Sequence, residues 1–196
     1  MGLDLKDLNL NQYYHCWFKS GLRYILHTDN QPDTNNRTNS NPATKLDFPE
    51  PWESVLKTTN PPVPIVLTYY QLPEDLGNSH MFDNNRIQLF QNILKALNWP
   101  KENRAFLPAT RIVDNDLQEE PDIFWKIIQI LNPAYLICFG EPVFKMLFPD
   151  KSLVFDQFEI ENDLDVLFVP GPDDMLPDNR EAKKRVWNFL KDLKST

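Results

Sequence analysis

The chain has 196 residues, 41% of them hydrophobic and 12% aromatic, enough for one domain to bury a core without disulfide or metal staples. Its 20 Lys and Arg against 28 Asp and Glu leave a net charge of −8, which argues against a protein that grips duplex DNA by its phosphates. Only two cysteines occur, Cys16 and Cys138, outside any Cys-x-x-Cys or Cys/His spacing, so neither a metal cluster nor a disulfide framework is expected.

The first 11 residues mix charges with leucines and lack an apolar signal core. No apolar run reaches membrane-spanning length. A soluble, cytoplasmic protein without a cofactor is expected. Residues 1–27 read as an N-terminal helical segment: Tyr13, Tyr14, Trp17, Phe18, Leu22, Ile25 and Leu26 recur at spacings of three and four. Residues 28–63 read as a flexible Asn- and Pro-rich linker. Its stretch 29–40 holds no large apolar residue to offset its ordering entropy. Pro49-Glu50-Pro51-Trp52 and the prolines near 61–64 are its rigid points.

Residues 64–196 read as an α/β domain. Ile65-Val66-Leu67-Thr68-Tyr69-Tyr70 is a short, continuous, β-prone run of the kind buried parallel strands use. A loop over 71–85 leads to a helix over 85–97 with Ile87, Phe90, Leu94 and Leu97 on one face. A second strand is expected at 104–107, and a helix over 116–131 with Pro121 in its first turn. Tyr135-Leu136-Ile137-Cys138-Phe139 is a third strand, ending at Gly140, with a short helix after it. Residues 155–160 suggest an edge strand, and Val166-Leu167-Phe168-Val169 a fourth core strand closed by Pro170-Gly171-Pro172. The last helix starts near Asp178, whose spacing to Glu181 matches a capping box, and buries Ala182, Val186, Phe189, Leu190 and Leu193. Strands alternating with helices predict a three-layer sandwich on a mostly parallel four-stranded sheet. Ligands on such sheets bind at the C-terminal strand ends.

The order of these elements resembles the uracil-DNA glycosylase superfamily. Tyr70-Gln71-Leu72-Pro73-Glu74 stands where that family carries Gly-Gln-Asp-Pro or Gly-Glu-x-Pro-Gly, and Val169-Pro170-Gly171-Pro172 stands where it carries His-Pro-Ser. The segment from Leu131-Asn132-Pro133 to Gly140 resembles the family's lead into its third strand. The resemblance spans about 64–193 and implies a glycosylase-like fold. It does not imply activity. The family stabilises the departing base with the His of its last motif, and here that position is Val169 or Gly171. The family's catalytic Asp and Glu positions fall on Leu72 and Gln71. With two cysteines, the iron–sulfur cluster of some branches is excluded.

A second resemblance fits that loss. Psi subunits of bacterial DNA polymerase III clamp-loader complexes share the glycosylase-like fold without its catalytic residues, behind an N-terminal helical lead-in. Residues 17–28 look like the end of such a lead-in. Pro170 to Leu176, followed by the Ala- and Trp-bearing stretch to Trp187, look like the psi C-terminal region. This resemblance implies protein partners in the replisome.

The cleft candidates are Tyr70, Gln71, Pro73, Phe139, Pro170 and Gly171. If the chain were active, Gln71 and His80 would carry the chemistry. Glu74 and Asp75 read as a solvated loop pair, Lys183, Lys184 and Arg185 as a solvated basic run, and Asp173-Asp174 as groups that repel phosphate. The aromatic set Tyr13, Tyr14, Trp17 and Phe18 is the candidate partner surface, with packing on its own domain as the alternative. The leading expectation is a non-catalytic accessory of DNA replication or repair acting by protein–protein contacts, its nucleic-acid contacts weak given the net acidity. The rivals are a divergent uracil- or damage-specific glycosylase and a small-molecule-binding α/β domain.

Overall fold

The computed structural model describes residues 48–76, 82–152, 158–161 (backbone only) and 164–193. The N-terminal helical segment with Tyr13, Tyr14, Trp17 and Phe18 lies outside the described residues, as does His80.

Within the stretch assigned to the linker, residues 52–58 form helix α1 (Trp52–Thr58). Trp52 is fully buried, and its indole N–H donates to the Pro108 carbonyl at 2.7 Å. A few aromatic and branched residues among prolines suffice to dock this segment, which composition alone does not reveal.

The main sheet runs β2-β1-β5-β7-β6, with β1 (Ile65–Tyr69), β2 (Arg104–Phe106), β5 (Tyr135–Phe139), β6 (Phe158–Glu161) and β7 (Leu164–Val169). Four of its strands are parallel, and β6 joins β7 antiparallel at the edge. β1 pairs with β5 from Ile65↔Tyr135 to Tyr69↔Phe139, so both end at the same level. Side chains alternate across the sheet. Val66, Leu136, Cys138, Val166 and Phe168 pack beneath α1, α4 (Pro121–Leu131) and α5 (Glu141–Leu147). Ile65, Leu67, Ile137, Phe139, Leu167 and Val169 pack beneath α3 (Asn84–Leu97) and α7 (Arg180–Leu190). Both faces are covered, which makes three layers and explains why the core strands read as continuous apolar runs.

The helix expected over 116–131 is instead a strand and a shorter helix. β3 (Thr110–Val113) and β4 (Asp116–Glu119) form an antiparallel hairpin, with Val113 opposite Asp116. The two turn residues, Asp114 and Asn115, have φ of 52° and 68°. That left-handed pair is what a tight two-residue hairpin turn needs, and Asp and Asn tolerate it. Helix α4 then starts at Pro121, whose missing N–H is harmless there. The loop expected over 71–85 holds the short helix α2 (Leu72–Leu76). Helix α3 is capped by the Asp83 carboxylate, which accepts from the Asn85 N–H at 2.8 Å, and ends at Asn98 in the left-handed conformation. Its expected face holds in part: Phe90 is buried and Leu94 and Leu97 pack against the core, while Ile87 is only half-buried and Arg86 and Leu89 are buried beside Phe90. Helix α7 is capped by Asn179 rather than Asp178, with the Asn179 side chain accepting from the Ala182 N–H at 3.1 Å.

Beyond β5 and β7 the chain passes through Gly140 and Gly171, which touch. A Cβ on Gly171 would lie 2.9 Å from the Gly140 Cα, and one on Gly140 would lie 3.2 Å from the Gly171 Cα. Gly140 also has φ of +93°, a region that side chains disfavour. Both contacting atoms are backbone, so nothing can swing aside. Gly171→Ala is expected to lose about 1–3 kcal/mol in urea unfolding, while Glu141→Ala on the adjacent surface stays within about 0.5 kcal/mol. A Gly171→Ala protein that unfolds at the wild-type midpoint would show that the two strand ends part freely.

Candidate functional site

In the strand order β2-β1-β5-β7, the connections change direction between β1 and β5. A ligand crevice on such a sheet is expected outside the C-terminal ends of those two strands. The flanking segments start at Tyr70, Gly140 and Pro170, so the cleft candidates do converge on one end of the sheet.

Their side chains are largely engaged there. The Tyr70 hydroxyl donates to Glu119 at 3.3 Å, and its carbonyl accepts from the Thr110 hydroxyl at 2.7 Å. These bonds fasten the β3–β4 hairpin against the end of β1. Gln71 donates its amide to Asp173 at 3.0 Å. Since β5 lies between β1 and β7, two strand spacings or about 10 Å separate the strands these residues follow. The Gln71–Asp173 bond therefore spans the end of β5. At an exposed position it contributes only about 1 kcal/mol, so the Gly140–Gly171 backbone contact is the firmer closure. Pro73, Pro170 and Gly171 are buried. Phe139 is 1% exposed and meets the Phe90 ring edge-to-face at 5.1 Å, so it packs in the core instead of offering a stacking platform. Tyr69 stacks on the other side of this cluster, 4.5 Å from Phe90.

Glu74 and Asp75 are not a solvated pair. Glu74 is 8% exposed, and the Asp75 side chain is 3% exposed. Both meet Arg86, itself 8% exposed, which reaches back from the first turn of α3. One Arg86 terminal nitrogen donates to Glu74 at 2.6 Å and to Asp75 at 3.1 Å, while Nε donates to the other Asp75 oxygen at 2.9 Å. Asp75 also accepts from the Tyr69 hydroxyl at 2.8 Å and from the Asp83 N–H at 3.1 Å. Four donors thus converge on one carboxylate, the arrangement that makes a buried charge tolerable. The cluster joins β1, α2 and the start of α3.

The reading of the residues in sequence order missed Arg86. The signal was its place three and four residues before Leu89 and Phe90, a cation on an apolar helical stripe. Such a residue needs a buried acid, and the acids stand nearby at 74 and 75.

The electrostatics follow from this geometry. Burial works against the Arg86 charge, but hydrogen bonds to Asp75 and the fields of Asp75 and Glu74 outweigh it and hold its pKa above the ordinary guanidinium value. Burial, then the Asp75 charge and its hydrogen bond, push the Tyr69 phenol well above its ordinary 10.0. Burial alone raises the Cys138 thiol, which is therefore an inert core residue. Arg111 in β3 is likewise held by Glu120 at 2.8 Å. Around the same strand ends stand the exposed acids Glu119, Glu141, Asp173 and Asp174. This end of the sheet carries guanidinium groups already matched by carboxylates, and an acidic rim.

No family model matches the chain, and a search of curated proteins returns no match. Among the described residues, no helix is long and apolar enough to cross a membrane.

Arg86→Met is expected to cost about 3–5 kcal/mol, because it strands two buried carboxylates. Adding Glu74→Gln to that variant should recover part of the loss; equal stability of the single and double variants in urea would show that Glu74 is not paired as described. Alkaline pH probes the same cluster. The Tyr69 pKa is raised in the fold, so its contribution is fully present below pH 10 and is lost as pH rises beyond that through the folded value. Stability should therefore fall above about pH 10, and less steeply in Tyr69→Phe; matching slopes would sink the assignment.

Proposed function

We propose that the chain is a non-catalytic binding protein on a glycosylase-like sandwich, an accessory of DNA replication or repair that acts by protein–protein contacts. The observation that carries the first part is the state of Arg86. Glycosidic cleavage needs a cation or strong donor free to receive the negative charge of the departing base. The guanidinium at the end of β1 is nearly closed to water and meets two carboxylates, so the trio has a formal charge of −1. Releasing Arg86 to a substrate would leave both acids buried without a counter-charge.

Two further observations support the reading. Exposed acids at 119, 173 and 174 would repel a phosphate backbone approaching the strand ends, whereas Glu141 is paired with Lys145. The element order on which the glycosylase resemblance rests recurs in the fold: β1, α3, β2, α4, β5 closed by Gly140, and β7 followed by α7. Replication or repair as the setting comes from that resemblance and from the likeness to psi subunits.

A uracil-release assay on single-stranded and duplex DNA tests the absence of catalysis. No turnover above a blank is expected. Robust turnover abolished by Gln71→Ala would establish the rival reading, a divergent glycosylase. Affinity purification from the native cell at normal expression should recover a replication or repair protein, and recovery of none would count against the accessory role.

A further inference from the structure

We infer that the outer face of α7 is a docking surface for an acidic polypeptide segment. This rests on the protein-binding reading above and names the partner's chemistry. Arg180, Lys184, Trp187 and Lys191 stand at offsets of zero, four, seven and eleven, which superpose them on one stripe of a helix. Arg180, Lys184 and Lys191 are exposed, and Trp187 is 39% exposed, while Ala182, Val186 and Leu190 fill the core on the other side. Arg180 stands 3.7 Å from the Asp178 carboxylate, a solvent-exposed pair that a partner's carboxylate can replace at little cost. The twelve positions 180–191 hold five of the chain's 20 Lys and Arg but only one of its 28 acids. A charge run alone is an ordinary solvated surface. Two features set this one apart.

The first is that the helix dipole does not account for it. The positive end of a helix favours acids, and the negative end favours cations. Yet Arg180 opens α7, and Lys183 and Lys184 follow one turn later; of the stripe's cations only Lys191, at the C-cap, stands where the dipole favours one. The second is the tryptophan. A half-exposed indole between cations is the residue type that most often anchors an interface, and it stands on the surface although α7 already buries a full apolar face. Beside it lies a shallow, mainly apolar hollow lined by Asn188, Phe189, Asp192 and Leu193.

Charge complementarity selects an acidic occupant, and the geometry favours polypeptide over nucleic acid. The stripe is about 16 Å long, eleven residues at the helical rise, which matches about five residues of extended chain. Three cations neutralise few phosphates, and the net charge of −8 opposes a polyphosphate strand at long range. A peptide can alternate carboxylates for the cations with one apolar side chain for Trp187.

Fluorescence anisotropy on the full chain tests this with two labelled probes: a twelve-residue Asp/Glu peptide carrying one central Phe, and a twelve-nucleotide oligo-dT. The peptide should bind, and the Arg180→Glu/Lys184→Glu and Trp187→Ala variants should each weaken it about tenfold. The charge-reversed variant is a safe probe of folding, since an acid at the start of a helix suits its dipole; both variants are checked by thermal melting, and the charge reversal decides if Trp187→Ala does not fold. Absence of peptide binding, affinity unchanged by the charge reversal, or tighter binding of oligo-dT overturns the inference. A parallel uracil-release assay separates the two readings. Turnover with peptide binding intact removes the non-catalytic role and leaves the surface standing, whereas no turnover and no peptide binding removes the surface alone.

Discussion

One guanidinium and two carboxylates share a space almost closed to water beside the end of β1. None of the three could be buried there alone, since an isolated ion loses several kcal/mol of hydration. Together they are tolerable only if each partner stays in place. Glu74 and Asp75 are brought by α2, and Arg86 by α3, so the cluster fixes both helices relative to the strand. The Asp83 N–H on Asp75 adds a backbone tie just ahead of α3. Tyr69 joins β1 to the same carboxylate and stacks on Phe90 of α3, which continues the arrangement into the apolar layer. The constraint that orders this corner also keeps its one guanidinium occupied. A cation whose removal destabilises its neighbours is poorly placed to serve a transient anion.

The opposite side of the strand ends is ordered by a different constraint, the approach of two backbones. Gly140 and Gly171 bring the exits of β5 and β7 into contact, and the Gly140 N–H donates to the Val169 carbonyl at 2.9 Å, extending the ladder past the strands. Asp174 secures Gly171 by accepting its N–H at 2.8 Å. These bonds use side chains and backbone groups at the strand ends, where sheets of this kind form ligand crevices. Here they serve the scaffold.

How much of this was legible depends on which force sets each feature. β1, β5 and β7 stand out in the sequence because strands buried on both faces need near-continuous apolar runs, and 65–69, 135–139 and 166–169 supply them. The β3–β4 hairpin was hidden, because its strands are four residues long and its pattern runs into that of α4; only Asp114-Asn115 marked the turn. Helix α2 is five residues long, too short for periodicity to register. The burial of Arg86 on α3 was not legible, because a cation counts as polar in any apolar template. For the site, position was legible and role was not. Tyr70, Gln71, Pro170 and Gly171 do gather at one end of the sheet, since motif order tracks topology. Whether a side chain there is free or engaged depends on partners 49 to 102 residues distant, such as Glu119 for Tyr70 and Asp173 for Gln71, and no local pattern reports such pairs.

The same separation leaves the fold independent of what stands at its strand ends. The apolar layers on the two faces of the sheet hold the fold, and they involve residues such as Val66, Leu136 and Phe168 that never reach the strand ends. Polar groups at the mouth can therefore be engaged in ion pairs and hydrogen bonds without touching the core. They do shape the electrostatic outline. Acids gather around the C-terminal ends of the strands, and bases gather along α7. A net charge of −8 distributed this way steers differently charged partners to different sides of the molecule. On the proposed reading, a partner is recognised on the outer face of α7 and not in a concave site where charge must be desolvated. Each cation there remains hydrated until the partner arrives and costs the fold little to keep.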